Sequence, residues 1–467
     1  MTIAATRTTT ARLTAAPPRR ARPRSRAINS LRKLIDTLFL VDVAILFTVS
    51  GGMLWFAGLN YDGLSGSGAA KIHPATYLAV ACFLLLLFTR RNPAAALASV
   101  TAHQNGALIL LAAFAGVMMF VVIDQRPGPA GLLDTFCFPA VLTIVAAQVS
   151  DRDKTNVEKL LHIILAVNAL MTLVEFVLQT EFFPYRMDGE TLVENRPCGL
   201  QGHPLSNAVM TGLYGVILLS GGGRALPGML RTPVILLQLA ALVASGGRTA
   251  LTLMIPFGAF ILLRRFVGIL LGERMSPSLV IAIFATPALA AVAIAALVNA
   301  GFFDVMLQRF DDDGGSAAAR VQMVDMLSRI PFSELLLAPD IQKIDSLRRS
   351  LGLELGIENP IVRFVLYQGV IATTALLVGV TAFLRGLVRP LQGRVGPSLI
   401  YFLLLINSFE SIGSKSTLLA KFAILMIAMF RPENRVFPQT AGIIRTSVRV
   451  FSSEAETGSR EERTLRQ

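Results

Sequence analysis

The sequence contains few charged residues for its length. Of its 467 residues, 16% are charged and 53% are hydrophobic, whereas a typical soluble domain has about 25% charged residues. A water-soluble fold could not bury so much apolar surface. The composition therefore excludes an ordinary soluble domain and predicts a membrane protein.

Cysteine and the common catalytic motifs are also scarce. Cys82, Cys137 and Cys198 are the three cysteines, and their spacing suggests neither a disulfide framework nor a thiolate metal site. The sequence has no HExxH, no CxxC and no phosphate-binding glycine loop in a cytoplasmic segment. An acidic turn at 311–313 has carboxylates that alternate in direction, which favours a solvated turn over a cation site. We therefore expect no metal and no nucleotide cofactor.

Long apolar blocks recur along the chain. A bilayer core of about 30 Å requires roughly 20 helical residues, and the blocks predict an all-α polytopic protein with about twelve transmembrane helices. Two of them are separated only by Gly246-Gly247-Arg248, so this pair could instead be one broken helix within the bundle. The predicted spans are 36–58, 75–89, 105–123, 132–149, 159–178, 206–221, 232–246, 249–263, 279–299, 364–384, 396–409 and 417–430.

The apolar blocks also divide the chain into regions. The composition of residues 1–33 predicts a basic, disordered cytoplasmic tail. We expect this segment to be retained, because it lacks the pattern of a cleaved signal peptide. Residues 34–430 form the transmembrane domain, and 431–467 form a cytoplasmic C-terminal tail. The net charge of +13 fits contact with anionic lipid headgroups better than contact with nucleic acid.

Arginines in short loops orient the predicted helices. Arg90-Arg91, Arg264-Arg265 and the pair Arg385 and Arg389 all fall on one side, which the positive-inside rule assigns to the cytoplasm together with both termini. Two long segments then lie on the outer side. These are 179–205 and a larger loop, 300–363, between predicted helices 9 and 10.

Three residues near the outer side suit an anionic ligand. Arg196 and His203 lie in a glycine-containing segment just before a predicted helix, where backbone amides and the helix dipole favour a phosphate. The alternative is an ordinary polar loop. Arg248 follows two glycines between two apolar spans, and its guanidinium suits diphosphate oxygens. Snorkelling to the interface is the alternative for Arg248.

Glu175, inside a predicted span, faces either a cavity or a buried partner.

The order of these features resembles the O-antigen polymerase and ligase (Wzy/WaaL) superfamily, and within it the VpsF-like exopolysaccharide polymerases. The resemblance covers about 30–430. It rests on Arg196-Pro197-Cys198-Gly199-Leu200-Gln201-Gly202-His203-Pro204, on Ser245-Gly246-Gly247-Arg248-Thr249-Ala250, and on a large loop with Arg309 and Arg320 that ends in Gly356-Ile357-Glu358-Asn359-Pro360.

The resemblance implies an inner-membrane glycosyltransferase with a membrane-embedded (GT-C-like) fold. Its substrate would be an oligosaccharide on undecaprenyl diphosphate, and its partners a flippase, a chain-length regulator and export proteins. A general base would deprotonate the acceptor hydroxyl while arginines neutralise the departing diphosphate. The implied base is Glu358 or His203, and the implied contacts to diphosphate or sugar are Arg196, Arg248, Arg320, Arg309 and Asn359.

One departure from the family bears on the reaction. Ligases of the superfamily carry His-Asn before the helix that follows the large loop, whereas this chain has Glu358-Asn359. A glutamate can act as a base where its surroundings raise its pKa. The departure favours a polymerase over a ligase that transfers finished glycan. A lipid-linked sugar flippase or transporter is the alternative from another class, and a noncatalytic membrane scaffold is a further one.

Overall fold

The computed structural model describes most of the chain from residue 23 to residue 430. The described residues are 23–272 except 64, 91 and 192–195, then 298, 304, 316–353, 357, 359–391, 395–408 and 412–430. These residues are mostly helical. The predicted span 279–299, the turn 311–313 and the C-terminal tail lie outside them, apart from residue 298.

Helices account for most of the described chain, which also contains a short antiparallel pair of strands, Arg186–Met187 and Glu190–Thr191. The α-helices are α1 Pro23–Thr48, α2 Gly51–Phe56, α3 Pro74–Leu87, α4 Pro93–Thr101, α5 Asn105–Ile123, α6 Pro129–Leu132, α7 Phe138–Gln148, α8 Asp151–Leu178, α9 Pro204–Leu219, α10 Gly228–Ala244, α11 Arg248–Leu270, α12 Ser316–Ser328, α13 Phe332–Leu337, α14 Ile341–Ser350, α15 Pro360–Val388, α16 Gly396–Ile406 and α17 Leu418–Met429. A π-helical turn, Leu133–Cys137, joins α6 to α7.

Five helical stretches are long and apolar enough to cross a membrane. They are Asn105–Ile123, Pro129–Gln148, Asp151–Leu178, Arg248–Leu270 and Pro360–Leu391. Shorter apolar helices of 10–17 residues lie at the positions of further predicted spans: Pro74–Leu87, Pro204–Leu219, Gly228–Ala244, Gly396–Ile406 and Leu418–Met429. The composition-based prediction of an α-helical membrane protein agrees with these helices.

The structure differs from the sequence prediction near the N-terminus. Helix α1 begins at Pro23, so residues 23–33 of the predicted disordered tail are helical. This part contains Arg, Ala and Leu, which have high helix propensity. The predicted span 36–58 is broken after Thr48, and Ser50 caps the next helix by accepting from the backbone N–H of Met53. The predicted span 36–58 is therefore divided between α1 and α2.

Proline and a capping side chain together start several helices. Pro74, Pro204 and Pro360 each occupy the first helical position, where proline's fixed φ is favourable and no N–H is needed. The preceding side chains of His73, His203 and Asn359 accept a hydrogen bond from the first turn. All three starts lie at the same end of the bundle.

The helices pack around one large apolar core. Helices α7, α9 and α17 contribute many fully buried residues, whereas large apolar side chains of α5, α8 and α11 remain exposed. Exposed apolar side chains on long helices suit contact with lipid tails. Helices α5 and α15 pack along much of their length, with Gly106 fitting directly against the backbone of Ala382.

A second, smaller core lies in the described part of the large loop. Met323, Met326, Ile330 and Ile344 of this loop pack with Leu366 of α15. The loop therefore contains a small helical unit, 316–353, that rests on the beginning of α15.

Candidate functional site

Polar side chains gather at one end of the bundle, where the described residues of the segments 49–73, 179–203 and 407–417 lie. We call this the polar end. A Cβ atom on Gly52 in the first segment would lie 2.5 Å from two backbone carbonyls of the second, so the two segments are in direct contact. A carboxylate of the first segment also pairs with an ammonium of the third. These contacts bring three separate parts of the sequence into one site.

Glu175 anchors the segment 179–203 to the bundle. Its carboxylate accepts hydrogen bonds from the backbone N–H groups of Phe182 (3.0 Å), Cys198 (2.8 Å) and Gly199 (2.7 Å). The side chain is 1% exposed. Of the two alternatives for Glu175, the buried partner is the one observed. Charge-assisted bonds of this kind hold backbone firmly, so the position of the following residues is well defined.

The side chain of Arg196 packs against the turn that carries Arg248. The Arg196 guanidinium is buried and donates hydrogen bonds to the backbone carbonyls of Ser245 (3.3 Å) and Gly246 (3.4 Å). Arg248 is the first residue of α11, and it is half-buried. The structure therefore brings together two arginines that lie far apart in the sequence. Arg196 holds the turn from which Arg248 projects.

His203 lies at the start of α9 and faces Tyr185. Its Nδ1 accepts a hydrogen bond from the backbone N–H of Leu205, 3.2 Å away, and its ring meets the Tyr185 ring edge-on at 5.4 Å between centroids. A neutral imidazole that accepts at Nδ1 carries its hydrogen on Nε2. In this arrangement Nε2 of His203 is a hydrogen-bond donor.

The remaining predicted site residues lie at the second long loop. Asn359 caps α15, because its side-chain oxygen accepts from the backbone N–H groups of Ile361 (2.9 Å) and Val362 (3.1 Å). Arg320 is in helix α12, and its side chain lies outside the described residues. Arg309 and Glu358 also lie outside them.

The polar end contains a second group of residues that the sequence did not single out as a site. The Asp62 carboxylate forms an ion pair with Lys415 at 4.0 Å, and the Tyr185 phenol interacts electrostatically with both Asp62 and Arg363. We call Asp62, Tyr185, Arg363 and Lys415, together with His203, the polar cluster. All five residues are partly buried, and the side chains of Asp62 and Lys415 remain 12% and 16% exposed. Asp62 stands alone between predicted spans, and no motif marks it.

A layer of buried, hydrogen-bonded residues lies on the interior side of the polar cluster. Asp134 accepts hydrogen bonds from the Tyr61 hydroxyl (2.8 Å), the Thr76 hydroxyl (2.6 Å) and the backbone N–H of His73 (3.0 Å). The ammonium of Lys415 donates to the backbone carbonyl of Tyr61 and lies 3.6 Å from the centre of its ring. Because its hydrogen-bonding groups are satisfied, this layer fixes the cluster in place.

Burial changes the acid–base properties of the cluster. Removal from water raises the pKa of Asp62, the ammonium of Lys415 opposes this rise and the carboxylate of Asp134 adds to it, so that the pKa is about 6 in the folded chain. Burial likewise raises the pKa of the Tyr185 phenol and lowers the pKa of the Lys415 ammonium. Desolvation disfavours each charged form. A carboxylate with a pKa near 6 can exchange protons near neutral pH.

No group of three or more His, Cys, Asp or Glu side chains in the described ranges could hold a metal ion. Comparison with known proteins found no match for the chain among protein-family models, curated sequences or solved structures.

Proposed function

We propose that this chain is a polysaccharide polymerase that joins oligosaccharide repeat units carried on undecaprenyl diphosphate. The observation that supports it most is the contact of Arg196 with the turn that carries Arg248. A buried arginine that positions a second, half-buried arginine at the end of a helix bundle suits a diphosphate at the membrane surface.

Diphosphate departure is the step for which these arginines are suited. As the glycosidic bond to the carrier breaks, negative charge develops on the diphosphate, and a fixed guanidinium stabilises that charge in the transition state. Arg248 is the principal contact in this proposal, while Arg320 and Arg309 are further candidates from the large loop. Glu358 and Asn359 would lie on the acceptor side of the reaction, with Glu358 or His203 as the base. The reaction inverts the anomeric carbon and uses neither a metal nor a nucleotide.

The proposed topology follows from the charge distribution. The chain crosses a bacterial inner membrane about twelve times, both termini lie in the cytoplasm, and the polar end faces outward. A flippase would supply lipid-linked repeat units to that side, and a chain-length regulator and export proteins would act on the product.

Two other functions share part of this support. A ligase would use the same arginines to transfer finished glycan to a different acceptor, and the Glu358-Asn359 pair is the feature that disfavours it. A lipid-linked sugar flippase or transporter would be expected to have internal repeats and a site near mid-membrane. The two halves of the sequence show no correspondence, and the polar residues concentrate in the two long outer segments. Both observations disfavour transport.

The test is the glycan pattern of cells that carry Arg248→Ala or Glu358→Gln as the sole copy of the chain. We expect single repeat units to accumulate on the lipid carrier and secreted polymer to disappear, with membrane levels of each variant unchanged. Arg264→Ala is the matched control, because Arg264 is an exposed arginine towards the other end of the same helix. This control should leave polymer length unchanged.

The same assay separates the three functions. Finished polymer that remains on its carrier would indicate a ligase. Lipid-linked units that remain on the cytoplasmic side would indicate a flippase. Normal polymer in the Arg248→Ala and Glu358→Gln cells would contradict the assigned roles of these two residues.

A further inference from the structure

We propose that the polar cluster binds the acceptor sugar and that Asp62 accepts the proton of its attacking hydroxyl group. This inference rests on the proposed polymerase function. It adds a carbohydrate site at residues that, apart from His203, lie outside the sequence motifs. Within the proposed reaction, it assigns the role of base to Asp62, which leaves Glu358 as a contact to the acceptor and His203 as a hydrogen-bond donor.

The composition of the cluster suits a carbohydrate better than a phosphate. Sugar hydroxyls both donate and accept hydrogen bonds, and a carboxylate, a guanidinium, a phenol and an imidazole in one site provide both kinds of partner. A carboxylate would repel a diphosphate. The arginines at 196 and 248 therefore suit the diphosphate end of the donor, and the cluster around Asp62 suits the hydroxyl groups of the acceptor sugar.

The orientation of His203 supports the assignment of the base. Its Nδ1 accepts from the backbone N–H of Leu205, so in the neutral form Nε2 carries a hydrogen and donates. Asp62 is the one carboxylate of the cluster, and its side chain is 12% exposed. Its pKa of about 6 leaves it ionised at neutral pH yet more basic than an exposed aspartate.

The contacts of Asp62 fix it in place. Its carboxylate occupies the position that a side chain on Gly51 would fill, and the ammonium of Lys415 pairs with it at 4.0 Å. A larger residue at 51 would displace the carboxylate. The Tyr185 ring lies edge-on to the His203 ring and places an apolar aromatic body with a polar hydroxyl next to these charged groups.

The proposed step is balanced within the site. The acceptor hydroxyl oxygen forms a bond to the anomeric carbon of the donor sugar, and the bond from that carbon to the diphosphate oxygen breaks. The electron pair of the broken bond leaves with the diphosphate. The hydroxyl proton passes to Asp62, which later releases it to water.

The first test uses the single tryptophan as a reporter of binding. Trp55 belongs to α2, the helix whose first residue contacts Asp62, and its ring would lie 3.6 Å from a Cβ atom on Gly189. The purified full chain in detergent is titrated with the free oligosaccharide released by mild acid from the host's lipid-linked glycans, and separately with inorganic diphosphate. Asp62→Asn and Tyr185→Phe should weaken oligosaccharide binding at least about fivefold and leave diphosphate binding unchanged. Glu190→Gln, an exposed carboxylate of the same polar end, should change neither.

The second test measures polymer in cells. Asp62→Asn should lower the rate of polymer formation by about 100-fold or more, the usual effect of removing a general base, at an unchanged membrane level. If Arg248→Ala abolishes polymer while Asp62→Asn preserves both polymer and oligosaccharide affinity, this inference fails and the polymerase function stands. If Arg248→Ala leaves polymer normal while Asp62→Asn weakens oligosaccharide binding, the carbohydrate site stands and the polymerase function fails.

Discussion

The ammonium group of Lys421 donates a 2.6 Å hydrogen bond to the side-chain oxygen of Gln201. Lys421 lies in α17, is 6% exposed and is surrounded by buried apolar residues. Gln201 belongs to the segment before His203, and its amide donates to the backbone carbonyl of Phe47 at 3.3 Å. The pair therefore links α17, the loop before α9 and the end of α1 through buried hydrogen bonds.

A double-mutant cycle on Lys421 and Gln201 should reveal strong coupling. Each single change, Lys421→Met or Gln201→Met, leaves one buried polar group without its partner, whereas the double variant removes both groups. We expect a coupling free energy of about 1.5–3 kcal/mol, as for a buried bond to a charged group. The measurement is thermal unfolding of the four purified forms in one detergent. Additive effects of the two changes would contradict the bond.

Arg126 should hold the small helical unit 316–353 on the bundle. Its guanidinium donates to the backbone carbonyls of Ala338, Pro339 and Tyr367, each at 3.1 Å. Arg126→Met would leave these carbonyls without that donor, at a cost of about 1.5–3 kcal/mol for a charged donor.

Hydrogen–deuterium exchange of peptides from 332–350 measures this effect. Exchange should be about tenfold faster or more in Arg126→Met. The control is Arg329→Met, which removes an exposed ion pair with Asp325 and should leave exchange in 332–350 unchanged. Equal exchange in the wild type and Arg126→Met would show that the unit is held by its apolar core alone.

The kink in α15 requires glycine at position 369. Gly369 has φ of +81°, and a Cβ atom there would lie 2.5 Å from the backbone nitrogen of Ala338. Gly369→Ala should therefore lower the unfolding free energy by about 1–3 kcal/mol. Gly116→Ala is the matched control, because Gly116 lies inside helix α5 with open space around it.

Alanine at position 116 should stabilise the chain by about 0.5–1 kcal/mol, since glycine is unfavourable within a helix. Thermal unfolding should therefore show changes of opposite sign in the stability of the two variants. A shift in the same direction for both would contradict the assigned backbone geometry at Gly369.

Stability should depend on pH through Asp62. Its pKa is raised from 3.8 to about 6 in the folded chain, so the folded form binds more protons than the unfolded form between these values. The unfolding free energy should therefore fall as pH rises from about 4 to 6, by up to about 3 kcal/mol for this group. Above pH 6 the contribution of this group should stay constant.

Asp62→Asn should remove this dependence. The measurement is the difference in melting temperature between the wild type and Asp62→Asn at several pH values from 4 to 7. That difference should change between pH 4 and 6 and level off above 6. A constant difference across the range would show that the surroundings of Asp62 do not raise its pKa, and Glu190→Gln serves as the control for general effects of a lost carboxylate.

Composition and hydropathy were sufficient to predict a mostly helical chain with helices long and apolar enough to cross a membrane. The predicted span 105–123 coincides with α5, because a long apolar run in a bilayer must satisfy its backbone within a helix. Other boundaries shifted where local capping intervened. Ser50 caps a new helix inside the predicted span 36–58. Pro204 and Pro360 begin their helices two and four residues before the predicted spans 206–221 and 364–384.

The assembly of the site depends on contacts between residues far apart in the sequence. Spacing singled out Arg196, His203 and Arg248, because glycines and helix starts mark them locally. It could not reveal that Arg196 fixes the turn of Arg248, nor that Asp62 approaches Lys415 across more than 350 residues of chain. Such pairings carry no local signature. They arise when packing of the helices brings the segments 49–73, 179–203 and 407–417 to the same end of the bundle.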